Sequence, residues 1–107
     1  MQTIVETTVF ARRAEKRMTE EERAAFIEFL ALSPLADKLI KGTGGIRKLR
    51  FATGGRGMSG SVRVIYYVHS ETKPIFLLDV YAKNEKANLS QAERNAMAKL
   101  VDRLINS

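Results

Sequence analysis

Apolar and polar positions change their spacing several times along the chain, and each change marks a predicted element. Residues Thr3–Val9 alternate weakly and are rich in β-branched side chains, which predicts a first strand. Phe10–Arg17 is rich in Ala, Arg and Lys without Gly or Pro, which predicts a short helix. A second helix follows and ends at Pro34. Its predicted inward stripe, with Ile27 beside it, contains Phe26, Phe29, Leu30 and Ser33.

Two helix starts carry a capping-box pattern, in which a Ser or Thr precedes a Glu by three positions. Thr19 and Glu22 open the second helix, and Ser90 and Glu93 open a closing helix. The closing helix has apolar residues at i, i+3 and i+4 spacing, which predicts one buried face. That predicted stripe consists of Ala96, Met97, Leu100, Val101, Leu104 and Ile105.

Three further strands are predicted between these helices, over Ile46–Ala52, Ser61–His69 and Pro74–Ala82. A short connection joins the last two, which implies an antiparallel hairpin. The order strand, two helices, three strands, helix predicts one α+β domain over residues 1–107, with helices packed against an antiparallel sheet of about four strands. A length of 107 residues suits a single modest core.

Glycine-rich stretches lie on both sides of the first of these three strands. Gly42–Gly45 leads into a strand rather than a helix and lacks a following Lys-Ser/Thr pair, so we do not interpret it as a phosphate-binding loop. Residues 53–60 contain four glycines around Arg56. This loop suits contact with an RNA backbone, and a plain hairpin loop is the other interpretation.

The net charge of +6 is concentrated in the middle of the chain. Between Lys38 and Ser70 there are seven Lys or Arg residues and no Asp or Glu, whereas the flanking segments are nearly balanced. A solubilising surface usually mixes both signs, so this block favours a face that binds an anionic partner. No segment resembles a signal peptide or reaches the length of a membrane span, and we expect a cytoplasmic protein with no membrane partner.

Strand alternation predicts how the basic residues are distributed over the sheet. On the first central strand, Leu49 and Phe51 face the core and Lys48 and Arg50 face away. On the other two strands the predicted core-facing residues are Val62, Val64, Tyr66, Val68, Phe76, Leu78, Val80 and Ala82. Leu77 and Asp79 are predicted to face away. The opposite face, called here the basic face, is predicted to gather Lys48, Arg50, Arg63, Tyr67, Tyr81 and Lys83.

The residue inventory limits the chemistry that this face can perform. The chain has no Cys and a single His, His69, so a thiol nucleophile and a histidine acid–base pair are excluded. Near the basic face only Asp79 and Glu85 are carboxylates, and we expect neither a metal nor a cofactor. Clustered Lys and Arg can hold a phosphodiester and stabilise its transition state, while RNA supplies its own nucleophile, the 2′-OH.

Three segments together resemble the RelE/ParE superfamily of type II toxins, nearest to its HigB-like members. They are Gly44–Arg50, Ser61–Tyr67 and Tyr81–Glu85. The resemblance implies the RelE-like (microbial RNase-like) fold and ribosome-dependent cleavage of mRNA, which inhibits translation and arrests growth. It also implies a cognate antitoxin, which we expect to be of the helix-turn-helix type. DNA would then be contacted only through the toxin–antitoxin complex.

The resemblance also suggests roles for individual residues. Arg63 would grip or polarise the scissile phosphate, and Lys48 and Arg50 would hold it or activate the 2′-OH. Lys83 would act as general acid or transition-state clamp, and Tyr81 could stack on a base. The positions expected to bind RNA around them are Lys41, Arg47, Arg56 and Tyr67.

One departure from the family pattern concerns the C-terminal segment, where some members use a catalytic Tyr or His. This chain has neither residue after Glu85. Glu85 could serve as the base or could form an ion pair with a neighbouring cation, and the sequence leaves both open.

Two other functions stay open at this point. One is a ParE-like toxin that acts on a topoisomerase, for which we would expect fewer basic residues on the sheet. The other is a non-catalytic RNA-binding module of the same fold. The antitoxin could cover either the basic face or the exposed apolar surface of the helices.

Overall fold

The computed structural model describes residues 2–35, 38–40, 43, 45–53, 60–70, 72–82, 85 and 88–106. The predicted glycine loops and three of the predicted site residues fall mostly or wholly outside these ranges. Those three site residues are Lys41, Arg56 and Lys83.

The described residues form three α-helices, and each begins at a side-chain cap. Helix α1 spans Thr8–Arg17, α2 spans Glu20–Leu32 and α3 spans Gln91–Asn106. Both predicted capping boxes are confirmed. The Thr19 hydroxyl accepts from the Glu22 backbone N–H at 3.1 Å, and the Glu22 carboxylate accepts from the Thr19 N–H at 2.9 Å. Ser90 and Glu93 exchange the same two bonds, at 3.1 and 2.9 Å.

Within the described ranges, five strands form one mixed sheet in the order β1-β5-β4-β3-β2. The strands are β1 Ile4–Glu6, β2 Lys38–Leu39, β3 Ile46–Thr53, β4 Gly60–Val68 and β5 Ile75–Ala82. The predicted α+β class and the antiparallel β4–β5 hairpin are confirmed. Two features differ from the prediction of about four antiparallel strands. The first is that β1 pairs in parallel with β5. The second is an additional edge strand, β2, whose two residues are too few to show an alternating sequence pattern.

The sheet is covered on both faces, which produces two core clusters. Helices α1 and α2 pack on one face, where the buried residues include Phe10, Phe26 and Leu30. Helix α3 packs on the other face through Met97 and Val101. The Phe26 and Phe51 rings meet edge to face at a centroid distance of 5.3 Å, which ties α2 to β3.

The buried face of α2 is rotated relative to its predicted stripe. Phe26 and Leu30 are fully buried, but Phe29 is 43% exposed. Ile27 packs against the first cluster and Ala31 is buried. Positions 26, 27, 30 and 31 form the side of α2 that faces the sheet, and Phe29 lies outside the centre of that side. The prediction for Phe29 was therefore wrong, and Ser33 is the C-cap residue of the helix.

The predicted facing of β5 was also wrong at three positions, because the strand contains an irregularity. Tyr66 pairs with Leu77, whereas the preceding Ile65 pairs with Asp79, so Leu78 is an extra residue between them. Leu77 consequently joins the first cluster with Val80. Phe76 and Leu78 pack on the α3 side. The predicted facing is correct at Val80 and Tyr81, past the irregularity.

Candidate active site

The centre of the basic face is a row of three side chains across the sheet. Arg50 of β3 lies directly opposite Arg63 of β4, and Arg63 lies directly opposite Tyr81 of β5. Directly paired residues on neighbouring strands project to the same face, so the structure brings these three predicted residues together. We call Arg50, Arg63 and Tyr81 the arginine row. Like charges directly opposite each other destabilise a sheet, which makes this placement costly for a face without a ligand.

A serine holds the two arginines of this row. The Ser61 hydroxyl oxygen accepts from Arg63 Nη1 at 2.7 Å and from Arg50 Nε at 3.2 Å. Ser61 is buried, Arg63 is half-buried and Arg50 is exposed. The pair is therefore anchored at its base and open toward solvent at Arg50. Sequence reasoning missed Ser61, because a serine at the start of a strand carries no pattern of its own.

Lys48 lies one row away from the two arginines, on the same face. It pairs with Ile65, and Ile65 pairs with Asp79. The residue is half-buried, and its Nζ atom lies 3.5 Å from the Asn88 side-chain oxygen, at the outer limit of a hydrogen bond. Lys48 therefore projects to the same face of the sheet as the arginine row.

Tyr81 belongs to the arginine row, but its side chain is part of the core. The residue is 2% exposed and packs in the second cluster. Burial raises the pKa of its phenol, an effect that the positive charge of Arg63 partly offsets and that Asp79 and Glu93 reinforce. The expected stacking of this ring on an RNA base is not available in this structure, because its faces are already covered.

Tyr67 is likewise buried and is not on the accessible part of the basic face. It is 4% exposed, and its hydroxyl lies 3.0 Å from His69 Nδ1. Burial, and then the negative charge of Asp102, raise its pKa. Gly45 has a φ of 112°, and a Cβ there would lie 3.2 Å from the Tyr67 ring. The ring therefore packs under the start of β3, where it is not exposed for the predicted contact with RNA.

Arg47 lies on the opposite side of the sheet from the arginine row. It pairs with Tyr66, which belongs to the first cluster, while its neighbour Lys48 pairs with Ile65 of the second. The structure therefore does not bring Arg47 together with Arg50 and Arg63.

The end of β5 is bound to helix α1 by Glu85. Its carboxylate accepts from Arg17 Nε and Nη2, both at 2.6 Å, and from the Ala82 backbone N–H at 2.6 Å. This hydrogen-bonded contact with Glu85 raises the pKa of the Arg17 guanidinium. Of the two roles left open for Glu85, the structure shows the ion pair.

Arg13, one turn before Arg17 on α1, donates from Nη1 alone to both oxygens of the Asp79 carboxylate. The two distances are 2.8 and 2.9 Å. Among the described residues, no three His, Asp or Glu side chains gather as metal ligands. Nor does any helix in the described ranges have the length and apolarity needed to cross a membrane.

The fold and the site define a small α+β domain whose sheet carries two directly paired arginines on one face. A family model described as the RelE toxin of the RelE/RelB toxin–antitoxin system matches residues 2–107, and the chain belongs to this family. The expected membership of the RelE/ParE superfamily is thus confirmed, while the HigB-like branch stays a prediction. The protein is a toxin with a cognate antitoxin, and toxins of this family are typically mRNA endoribonucleases.

Proposed function

We propose that this toxin cleaves mRNA on the ribosome, with the arginine row as the phosphate-binding centre. The observation that carries the proposal is the direct cross-strand pairing of Arg50 with Arg63. Two guanidinium groups side by side match the negative charge that develops on a phosphodiester during cleavage. This proposed site contains five residues, Lys48, Arg50, Arg63, Tyr81 and Lys83.

In the proposed reaction the RNA supplies the nucleophile. The 2′-oxygen attacks the adjacent phosphorus, its proton passes to a base, and the bond from phosphorus to the 5′-oxygen breaks as that oxygen takes up a proton. Arg63 and Arg50 stabilise the pentacoordinate phosphate, and Lys48 contacts the phosphate or the 2′-OH from the next row. Tyr81 packs beneath Arg63 as a support. Lys83 is assigned the acid role from the family resemblance alone.

The dependence on the ribosome is supported by what the described part of the face lacks. Tyr67 and Tyr81 are buried, so neither ring offers a surface on which a base can stack. The accessible groups are cations that bind the backbone without orienting the bases. A ribosome that already holds the mRNA in an extended form would supply that orientation.

The test is cleavage of mRNA by Arg63→Ala in a translation system reconstituted from purified ribosomes. We expect the cleavage rate to fall by roughly 10²-fold or more, because a transition-state charge loses its partner. Arg12→Ala is the matched control, since Arg12 is an exposed arginine on α1 and its removal changes the net charge equally. Both variants should still bind the antitoxin.

Cleavage at the wild-type rate by Arg63→Ala would contradict the proposal. Inhibition of plasmid supercoiling by purified gyrase, without mRNA cleavage, would instead indicate a ParE-like toxin. Salt-dependent RNA binding without cleavage on translating ribosomes would indicate a binding module.

A further inference from the structure

We propose that Ser61 is a positioning residue, which holds Arg50 and Arg63 as a pair and directs its own hydroxyl hydrogen toward the bound phosphate. This inference rests on the proposed function and adds a residue to its site. The interaction that carries it is the shared acceptor, the Ser61 hydroxyl oxygen, 3.2 Å from Arg50 Nε and 2.7 Å from Arg63 Nη1.

The location of Ser61 makes this shared contact stable. Ser61 is 7% exposed and pairs with Ala52 across the sheet, on the same face as the arginine row and two residues before Arg63. Water has little access to replace the hydroxyl if it is removed. This buried oxygen atom therefore contributes to the orientation of both guanidinium groups.

The hydrogen-bonding capacity of a serine hydroxyl explains why it suits an anion site. The oxygen has two lone pairs and one hydrogen, and the two arginines occupy both lone pairs. The hydroxyl hydrogen must then point away from both cations, and among the described residues no acceptor receives it. A phosphate oxygen attracted by the two arginines is the acceptor that this arrangement favours.

The charges of Arg50 and Arg63 also support a positioning role for Ser61. Two guanidinium groups repel each other, and both lie against one oxygen atom that attracts them. Without that oxygen the repulsion between the two side chains would lose this compensation, and Arg50 would be held less firmly beside Arg63. The two arginines would then have to be brought together at each turnover, which would slow the chemical step. The long-range attraction of RNA would change less, because both positive charges remain.

The experiment compares three substitutions at Ser61 in the full chain. Ser61→Ala and Ser61→Cys both remove the hydroxyl, and the Cys variant keeps nearly the same volume with a weak acceptor. Ser61→Thr keeps the hydroxyl. On translating ribosomes we expect kcat to fall about 10-fold or more for Ala and Cys with KM changed less than about threefold, and Thr to retain wild-type kcat within about threefold.

A double-mutant cycle separates positioning from a structural role. If Ser61 acts through the pair, Ser61→Ala should reduce kcat much less in an Arg50→Ala background than in the wild type. Independent, multiplying effects of the two substitutions would overturn the inference. So would wild-type kcat in both Ser61→Ala and Ser61→Cys, or equal impairment of Ser61→Thr with its melting temperature unchanged.

The two proposals fail in different ways. If Arg63→Ala cleaves mRNA at the wild-type rate, the proposed function fails whatever Ser61 does. If Arg63→Ala is impaired while the hydroxyl-free Ser61 variants are not, the cleavage site stands and the role of Ser61 is wrong.

Discussion

At the scale of single residues, burial separates the aromatic members of the basic face from its cations. Tyr81 and Tyr67 are nearly inaccessible, while Arg50 is exposed and Lys48 and Arg63 are half-buried. The tyrosine rings form part of the packed core next to the arginines, while the cationic side chains remain accessible to a ligand. A phenol held in such surroundings keeps its proton to a higher pH than one in water.

Replacing Tyr81 should therefore change how stability depends on alkaline pH. Its folded pKa is raised above the ordinary value of 10.0. The resulting stability is fully present below pH 10 and is lost as the pH rises through the folded pKa. Tyr81→Phe cannot ionise, so it should lose less free energy of unfolding than the wild type above pH 10. Urea unfolding at pH 8 and at several values above 10 measures this difference, and equal losses would contradict it.

At the scale of elements, helix α1 is joined to β5 by two ion pairs on either side of Tyr81. Arg13 binds Asp79, and Arg17 binds Glu85 one helical turn later. Asp79 is 4% exposed and also accepts from the Val80 backbone N–H at 2.7 Å. The two arginines are four positions apart and so lie on the same face of α1, which places one beside Asp79 and the other beside Glu85. Helix α1 therefore fixes the position of the end of β5, the strand that carries Tyr81.

The two ion pairs should contribute unequally to stability. Asp79→Ala leaves a half-exposed arginine and a backbone N–H without their acceptor, and we expect it to cost roughly 2–4 kcal/mol. Glu85→Ala breaks a pair whose carboxylate side chain is 38% exposed, with an expected cost of about 1 kcal/mol. Chemical denaturation of both variants gives the comparison. A larger loss for Glu85→Ala would contradict the burial argument.

At the scale of the whole molecule, the charge of +6 is less informative than the face on which each charge lies. Arg47 and Arg50 are three positions apart on β3 and project to opposite sides of the sheet. Both carry the same charge and attract RNA equally at long range. Their contributions should differ once the RNA backbone is in contact with the basic face.

Arg50→Ala and Arg47→Ala should therefore have different effects on RNA binding, although each removes one charge. Loss of one phosphate contact lowers the slope of log affinity against log salt by about 0.7 for a single strand. We expect that change for Arg50→Ala and a smaller one for Arg47→Ala. Titration of a single-stranded RNA at several salt concentrations measures both slopes. Equal slopes would show that net charge, rather than the arginine row, governs binding.

Much of the fold follows from local sequence patterns. The capping boxes at Thr19 and Ser90 set two helix starts, because their bonds involve residues only three positions apart. Strict alternation placed Lys48, Arg50 and Arg63 on one face, since β3 and β4 pair without irregularity. The family is also evident in the sequence, through short motifs around these same residues.

Tertiary structure decided what alternation and motifs leave undetermined. The extra residue Leu78 reverses the facing of part of β5, and it depends on how β4 and β5 pair rather than on either strand alone. Helix α3 covers the second face of the sheet and so buries Tyr67 and Tyr81, which a local pattern cannot show.

The sequence by itself thus determined the three helices, the main strands, the family and the shared facing of Lys48, Arg50 and Arg63, because spacing along one strand or helix fixes those. Which groups stay accessible, and that Ser61 joins Arg50 to Arg63, depended on tertiary structure. The physical reason is that accessibility and the sharing of a hydrogen-bond acceptor both involve residues that are distant in the chain and meet only when the sheet and helices assemble.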